Sequence, residues 1–424
     1  MAFQISNQRL FYGWWIVAAA AAGLAVHFGP IVVGTFGVFL LALEGEFGFS
    51  RSELSGAMAL ALLGVTVAQP RMGRIIDRFG PRQVIMVSGL LMSAVFASLF
   101  LLTSALWHLY LIFFLLGCLS AGCNPVPYAK VVSNWFDQRR GIALALAIAG
   151  SSLGVSLMAP LANWLISDYG WRIAYALLGV IVVAVMLPTA ALILRDSPET
   201  MGVSPDGSLP RNTSAAVTTY GFSLPQALRM PNFWALMVVF FVISIAFHAC
   251  VIHLVPMLTD AGMTVEEAAG LAALLGVGIL LGRVVTGILL DRFFAAQVAA
   301  AVFLLFMLAI LLLRMGGSAW TSYLAVALLG LAHGAEFDLM AYMVSRYFGL
   351  SSFGEIYGYV FAAFNLGGMI GAPLMGMGYD LTGAYTTGLS VLAVMPAIAI
   401  VIVLRLGPYP VDFDAARPAR FKVV

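Results

Sequence analysis

Apolar runs long enough to cross a lipid bilayer follow one another along this chain, separated only by short polar breaks. A spanning helix needs about 20 predominantly apolar residues. Hydrocarbon offers no partner to backbone N–H and C=O groups, so each such run is expected to satisfy its own as a helix. Reading the runs between charged or Pro/Gly-rich breaks gives twelve helices, at 12–42, 52–72, 83–105, 107–135, 140–167, 171–194, 231–259, 264–290, 296–315, 319–348, 354–379 and 385–407. Composition points the same way. Charged residues make up 9% of the chain and hydrophobic residues 62%, whereas a soluble domain needs roughly 25% charged residues to cover its surface. A net charge of +2 gives no case for nucleic acid, and the three cysteines, Cys118, Cys123 and Cys250, all lie inside apolar runs, which argues against a disulfide framework. The first apolar run is too long for a cleaved signal and is expected to be retained as a helix.

The longest polar gap, Arg195 to Leu228, is rich in Pro, Ser, Thr, Asp and Asn. It reads as a linker between an N-terminal bundle, 1–194, and a C-terminal bundle, 229–424, that ends in a short tail. Orientation follows from basic residues, which short cytoplasmic loops retain. Alternate loops carry Arg71, Arg74, Arg78 and Arg82, then Arg139 and Arg140, then Arg195, Arg211 and Arg229, and the tail adds Arg417, Arg420 and Lys422. The opposite loops offer little beyond Arg51, Arg172 and Arg314. Both termini are therefore expected in the cytoplasm, the chain sitting in the inner (plasma) membrane, and the sequon Asn212-Thr213-Ser214 in the linker is expected to be inert.

One pattern occurs twice. Gly73-x3-Asp77-Arg78-Phe79 follows helix 2, and Gly287-x3-Asp291-Arg292-Phe293 follows helix 8, 214 residues later. Val132-Ser133-x-x-Phe136 and Val344-Ser345-x-x-Phe348 are 212 apart, and Ala159-Pro160-Leu161 and Ala372-Pro373-Leu374 are 213 apart. Three ordered matches at nearly one offset imply two pseudo-symmetric six-helix bundles, a parallel repeat about an axis along the membrane normal. In the repeated loop the glycine allows close helix approach. The aspartate can pair with an arginine or a helix N-terminus across the halves, forming a latch that closes the cytoplasmic side.

The full form of the first copy, Gly73-x3-Asp77-Arg78-x-Gly80-x-Arg82, resembles the signature of the major facilitator superfamily. Within it the chain looks like the monocarboxylate porter and oxalate–formate antiporter branch. Tyr12-Gly13-Trp14-Trp15 is similar to that branch's opening signature. Trp135-Phe136-x2-Arg139-Arg140-x2-Ala143-x3-Ala147-x-Ala149-Gly150-x3-Gly154 is similar to its helix 4–5 signature, and Gly282-Arg283-x3-Gly287 sets an arginine where the branch has its helix-8 substrate arginine. The chain also departs from the pattern. Animal monocarboxylate carriers pair that arginine with an aspartate one turn earlier, where this chain has Ile279, and their helix-1 lysine is missing, since no lysine precedes Lys130. Oxalate carriers have a helix-11 lysine, whereas the stretch from Phe361 to Gly371 offers Asn365. Substrate and coupling group are therefore not carried over from the resemblance.

Ionisable groups inside a bilayer are costly and point to function. Arg283, always charged and able to donate in pairs, suits a planar carboxylate. Helix 10 carries Glu336 and Asp338, which point roughly 200° apart at about 100° per residue. In the repeat register Glu336 corresponds to Asn124 and Tyr342 to Lys130. One face would offer Asn124, Tyr128 and Glu336 to a cavity, the other Lys130, Asp338 and Tyr342. Sequence does not choose between them. His27 and His248 sit near mid-span and can donate to a carboxylate or titrate near neutral pH. Trp14, Trp15 and Trp135 read as interfacial anchors.

The expected substrate ligands are Arg283, Asn124, Tyr128, His27 and Tyr342. Glu336, Asp338 and His248 are the expected proton-coupling groups. Gly73, Asp77, Arg78, Gly80, Arg82, Gly287, Asp291 and Arg292 form the expected cytoplasmic gate. No Walker motif, metal-ligand cluster, nucleophile elbow or dinucleotide fingerprint occurs, so neither catalysis nor a cofactor or metal is expected. The expected partners are a small organic acid, protons and the lipid bilayer, with the chain acting as a monomer. An anion exchanger or exporter, and more remotely a non-transporting sensor, remain the alternatives.

Overall fold

The computed structural model describes residues 11–49, 51–207, 221–316 and 319–410. Arg211, the Asn212-Thr213-Ser214 sequon and the tail residues Arg417, Arg420 and Lys422 lie outside them. Twelve helices among the described residues are long and apolar enough to cross a membrane. Spans 1 to 6 are Gly13–Leu40, Glu53–Phe79, Pro81–Leu101, Leu106–Trp135, Arg140–Tyr169 and Trp171–Ile193. Spans 7 to 12 are Pro231–Ile252, Leu274–Arg292, Ala295–Met315, Trp320–Phe348, Phe353–Thr382 and Tyr385–Arg405.

Packing between spans reproduces the repeat. Span 1 lies on span 5, span 2 on span 4 and span 3 on span 6; in the second half span 7 lies on 11, span 8 on 10 and span 9 on 12. The two broad contacts between halves, span 2 with span 11 and span 5 with span 8, exchange under the same correspondence. The architecture is therefore two pseudo-symmetric six-helix bundles, as the repeat predicts.

Local sequence sets three deviations from regular helix. Span 1 is interrupted after Ala25 and resumes through a π-helical turn, Gly29–Val33, with Pro30 inside it. Span 4 stops at Ser120 and restarts at Pro125, a residue suited to the first helical position because its missing N–H needs no partner there. Pro160 and Pro373 remain inside continuous helices. The third deviation concerns the repeated motif. It was expected in a loop after a helix ending at 72, yet it forms the last two turns of a helix running Arg51–Phe79, with Pro70 inside. Gly80, at φ +87°, ends that helix and Pro81 starts the next. Charged residues are tolerated in these final turns because they have reached the edge of the bilayer.

The halves are bolted together at the face carrying this motif, here termed the basic face. Asp77 Oδ1 and Oδ2 accept from the Gly354 and Glu355 amides at the start of span 11, at 2.9 and 2.8 Å. Asp291 does the same for Gly141 and Ile142 at the start of span 5, at 2.6 and 3.1 Å. Each aspartate thus supplies the acceptor that two free amides of a helix N-terminus lack, with charge favourable to the helix dipole. Lys130 Nζ lies 2.5 Å from Asp77 Oδ1, Arg74 Nη2 2.6 Å from Glu355 Oε1, and Arg346 Nη1 3.6 Å from Asp137 Oδ1. Gly73 sits against the Gly354 backbone and Gly141 against Gly287, where a β-carbon would collide. Among the described residues, these hydrogen bonds and ion pairs between the halves are gathered at this face.

The motif divides accordingly. Gly73, Asp77, Gly287 and Asp291 join the halves. Arg82 binds within the first half, its amide to Asp196 Oδ1 at 2.8 Å and its guanidinium to the Ala190 and Ala191 carbonyls, while Gly80 fits against Asp196. Arg78 and Arg292 are exposed, Arg78 over the Phe79 ring. Trp135, expected as an interfacial anchor, is instead fully buried and donates to the Arg195 carbonyl at 2.8 Å. It pins the start of the linker to the end of span 4.

Removing Asp77 leaves two amides and Lys130 without their acceptor. Asp77→Ala should lower stability by about 1–3 kcal/mol, the range for orphaned partly buried donors. Lys130→Ala should be destabilising in the wild-type background and nearly silent in Asp77→Ala. Thermal unfolding in detergent, run as a double-mutant cycle, reads both; additive effects would contradict the geometry.

Candidate functional site

Arg283 lies midway along span 8 and is 4% exposed. Small residues bring it to span 10: Gly282 packs on the Leu331 backbone, and Gly334 on Ile279 and the Arg283 amide, so the two helices touch through backbone. This close approach faces Arg283 with Asp338, itself fully buried, with Nη1 and Oδ1 3.5 Å apart. Charge-assisted N–H···O bonds are ordinarily about 2.7–2.9 Å long. The pair is therefore electrostatic without being a formed hydrogen bond. Among the described residues, Arg283 Nε and Nη1 and both Asp338 oxygens have no hydrogen-bond partner.

Glu336, two residues earlier, points elsewhere. His333 Nδ1 lies 3.1 Å from its Oε2, and the His333 ring stacks on Phe247 of span 7, with centroids 3.6 Å apart and planes at 8°. His248, also on span 7, is held by Ser244, through its carbonyl at 3.0 Å and its hydroxyl at 3.2 Å, and lies in electrostatic range of Glu336. The structure thus resolves what the helical wheel left open: Asp338 belongs with Arg283, and Glu336 with the two histidines.

The remaining candidates separate. Asn124 occupies the break in span 4, capping position of the helix Pro125–Trp135, and is buried. Tyr128, one turn on, is buried with its hydroxyl unpartnered and its ring against Gly23 of span 1. His27 sits at the interruption of span 1, its Nδ1 2.6 Å from the Leu24 carbonyl. Tyr342 does not join Arg283; Arg346 lies over its ring at 5.3 Å, placing it beside the latch. Lys130 is likewise spent on Asp77.

Two residues missed by sequence reasoning join the centre. Tyr357 of span 11 is fully buried with an unpartnered hydroxyl, in electrostatic range of both Arg283 and Asp338. Gln69, on the site-facing part of span 2, has an unpartnered Oε1 and passes its carbonyl against Gly358. Gln69 was legible only as the repeat counterpart of Arg283; for Tyr357 no sequence signal stood out among the many aromatic residues. Native proteins leave few buried polar groups unpaired, so Arg283, Asp338 and Tyr357, unpartnered and within electrostatic range of one another, make a candidate place for a polar guest.

The sequence profile of the Major Facilitator Superfamily matches residues 22–348. The chain belongs to that superfamily. It is 30% identical to monocarboxylate transporter 13 of Bos taurus over 395 residues, covering 91% of this chain and 87% of the relative. Identity to monocarboxylate transporter 11 of Homo sapiens is also 30%, over 88% of this chain and 79% of the relative. The MFS-type transporter YhjX of Escherichia coli (strain K12) is 25% identical over 79% and 81%. Among solved structures, the proton:xylose symporter XylE matches with TM-score 0.72 at 14% identity, covering 94% of this chain and 96% of that one. FucP in its outward conformation matches with TM-score 0.67 at 18% identity, covering 92% and 97%. At such identities the structural likeness speaks to the fold. The chain is a multi-pass membrane transporter and not an enzyme, and within the superfamily it is similar to the monocarboxylate transporters, as its motifs imply.

Breaking one member of a buried ion pair leaves an uncompensated charge. Arg283→Met and Asp338→Leu should each destabilise by about 3–5 kcal/mol, and the double variant should recover most of the loss. Unfolding temperatures of the purified variants in detergent would show this recovery, and its absence would mean that the two charges do not depend on each other.

Proposed function

We propose that this chain is a secondary active transporter of a small, monocarboxylate-like organic anion, coupled to protons and working by alternating access. Arg283 carries the reading. It is buried, permanently charged, opposed by a carboxylate too far away to saturate it, and has two donor nitrogens without partners. A substrate carboxylate supplies the bidentate acceptor that Asp338 does not. Its arrival loosens the hold of Arg283 on Asp338, which then takes a proton readily in a medium that penalises a lone buried charge. Glu336, flanked by His333 and His248, is the second coupling group. Asn124, Tyr128 and His27 are the first half's contribution to the substrate site in this reading, and Tyr342 serves the latch. Similarity to monocarboxylate transporters supports the substrate class.

In this reading the bundles are 1–194 and 229–424, joined by the linker 195–228. The basic face is cytoplasmic by its excess of Arg and Lys, the membrane is the inner (plasma) membrane, and one chain suffices for transport. The Asp77 and Asp291 caps, with Gly73 and Gly287 beneath them, are the gate that releases when the halves rock.

The test is uptake of labelled acetate, lactate, pyruvate and phenylacetate by purified protein in phospholipid vesicles, with and without a proton gradient. An imposed gradient should drive accumulation, and Arg283→Lys, which cannot offer a rigid fork, should reduce it by about tenfold or more. Glu336→Gln and Asp338→Asn should lose gradient-driven uptake in at least one case; full retention in both rules out these carboxylates as the coupling groups. Counterflow that proceeds without any response to the gradient would identify an exchanger instead.

A further inference from the structure

Resting on the anion-carrier reading, we infer that the transported acid is a monocarboxylate with an apolar, aromatic or branched body: Arg283 and the Tyr357 hydroxyl share its carboxylate, and Phe337, Phe361 and Phe364 receive its body.

Counting buried cations limits the substrate to one carboxylate. Lys130 is bound to Asp77, Arg140 is engaged by Asp137, Ser345 and the Phe136 carbonyl, and Arg346 faces Asp137. All three stand at the latch. Arg346 also keeps an unpartnered Nε, but it is partly exposed and faces Asp137 at the latch, so among the described residues Arg283 is the fully buried guanidinium with donors to spare. The protonatable groups around it come from three spans: Asp338, Glu336 and His333 on span 10, His248 on span 7 and Tyr357 on span 11. His333 already answers Glu336. A second carboxylate on the substrate would therefore meet carboxylates and aromatic rings, where an isolated anion is strongly disfavoured.

Tyr357 completes the anchor. Its hydroxyl is the other unpartnered donor in range of both charges, and its ring is fixed between Phe353 and Phe361, at 5.3 and 6.1 Å. A buried tyrosine hydroxyl ordinarily finds a partner; a carboxylate oxygen beside Arg283 provides one.

From Tyr357 a continuous aromatic wall leads away from the charges. Phe361 lies 5.8 Å from Phe337, and Phe337 lies 5.2 Å from Phe364, which in turn lies 5.7 Å from His248. Phe361 and Phe364 are buried, whereas Phe337, next to Asp338 on span 10, is only partly so. Phe337 packs toward span 11 and His333 toward span 7, so both rings lie among helices of the second half and next to the two carboxylates of span 10. Rings meeting at tilted angles gain most from a further ring or a branched alkyl group. They offer nothing to the hydroxyls of a sugar.

The experiment compares labelled phenylacetate, 3-methylbutanoate and lactate in vesicles containing the full chain, counting only the Arg283-dependent component so that passive permeation drops out. Phenylacetate and 3-methylbutanoate should exceed lactate in kcat/KM by about tenfold or more, the worth of burying one such group. Oxalate should not compete. Phe337→Ala should bring the phenylacetate-to-lactate ratio close to one, and the milder Phe337→Leu should lower it while retaining the wild-type unfolding temperature. Tyr357→Phe should raise KM for all three acids. Arg283-dependent lactate or oxalate transport that equals or exceeds phenylacetate transport, or a ratio unmoved by both Phe337 variants, overturns the aromatic body and leaves the anion carrier standing. No Arg283-dependent flux of any acid overturns both.

Discussion

Hydrocarbon supplies no hydrogen bonds, and that single constraint organises the whole molecule. It forces twelve helices, since only a helix satisfies its backbone from within. It also creates a difficulty at every helix start, where the first amides have no carbonyl to bond. Two of those starts, at Gly141 and Gly354, lie where the halves meet, and the acceptors come from the opposite half as Asp291 and Asp77. The repeat makes the arrangement reciprocal: each half caps the other with the same residue at the same depth.

The centre of the protein holds buried polar groups that no neighbour satisfies. Arg283, Asp338, Tyr357, Tyr128 and Gln69 all hold buried atoms without hydrogen-bond partners. Packing alone does not explain this, because replacing such groups by apolar ones of equal size is often neutral or stabilising. These atoms come from spans 2, 4, 8, 10 and 11, from both halves, whereas the two latch aspartates, Asp77 and Asp291, each accept from two amides with both oxygens. Under the proposed function, capped helix starts at the latch and a deficit at the centre suit a carrier: the latch holds without a guest, and the centre is completed by one.

How much of this could be read from sequence depended on symmetry and period. The twelve spans and their two-fold arrangement followed from apolar run lengths and a recurring offset, and the aspartates at 77 and 291 followed from the repeat. The register of helix 10 did not. A helical wheel separates Glu336 from Asp338 but does not say which faces span 8, because that depends on Gly282 and Gly334 letting two backbones meet. Nor did sequence show that Tyr342 lies beneath Arg346 and Lys130 against Asp77. Both lie a turn or more toward the basic face from Arg283, a matter of helix depth that periodicity does not encode. Trp135 misled through composition: an indole near a span end usually marks the interface, yet here the linker folds over it and takes its N–H.

The contrast between gate and centre also orders the energetics of a transport cycle. In the proposed cycle, rocking the halves apart at the basic face releases Asp77, Asp291 and their partners to water, which replaces the lost bonds so that the net loss is modest. Arg283 and Asp338 have no such refuge, since both are buried beneath the middle of the bundle. A mobile substrate carboxylate can hold Arg283 while a proton neutralises Asp338, so no bare charge remains as the surroundings change. Restoring the 3.5 Å pair after release of both serves the return step in the same way. The asymmetry of the halves follows from this division of labour: the duplicated scaffold supplies two equal caps, but one guanidinium, on one half only, suffices to tie anion, proton and conformation together.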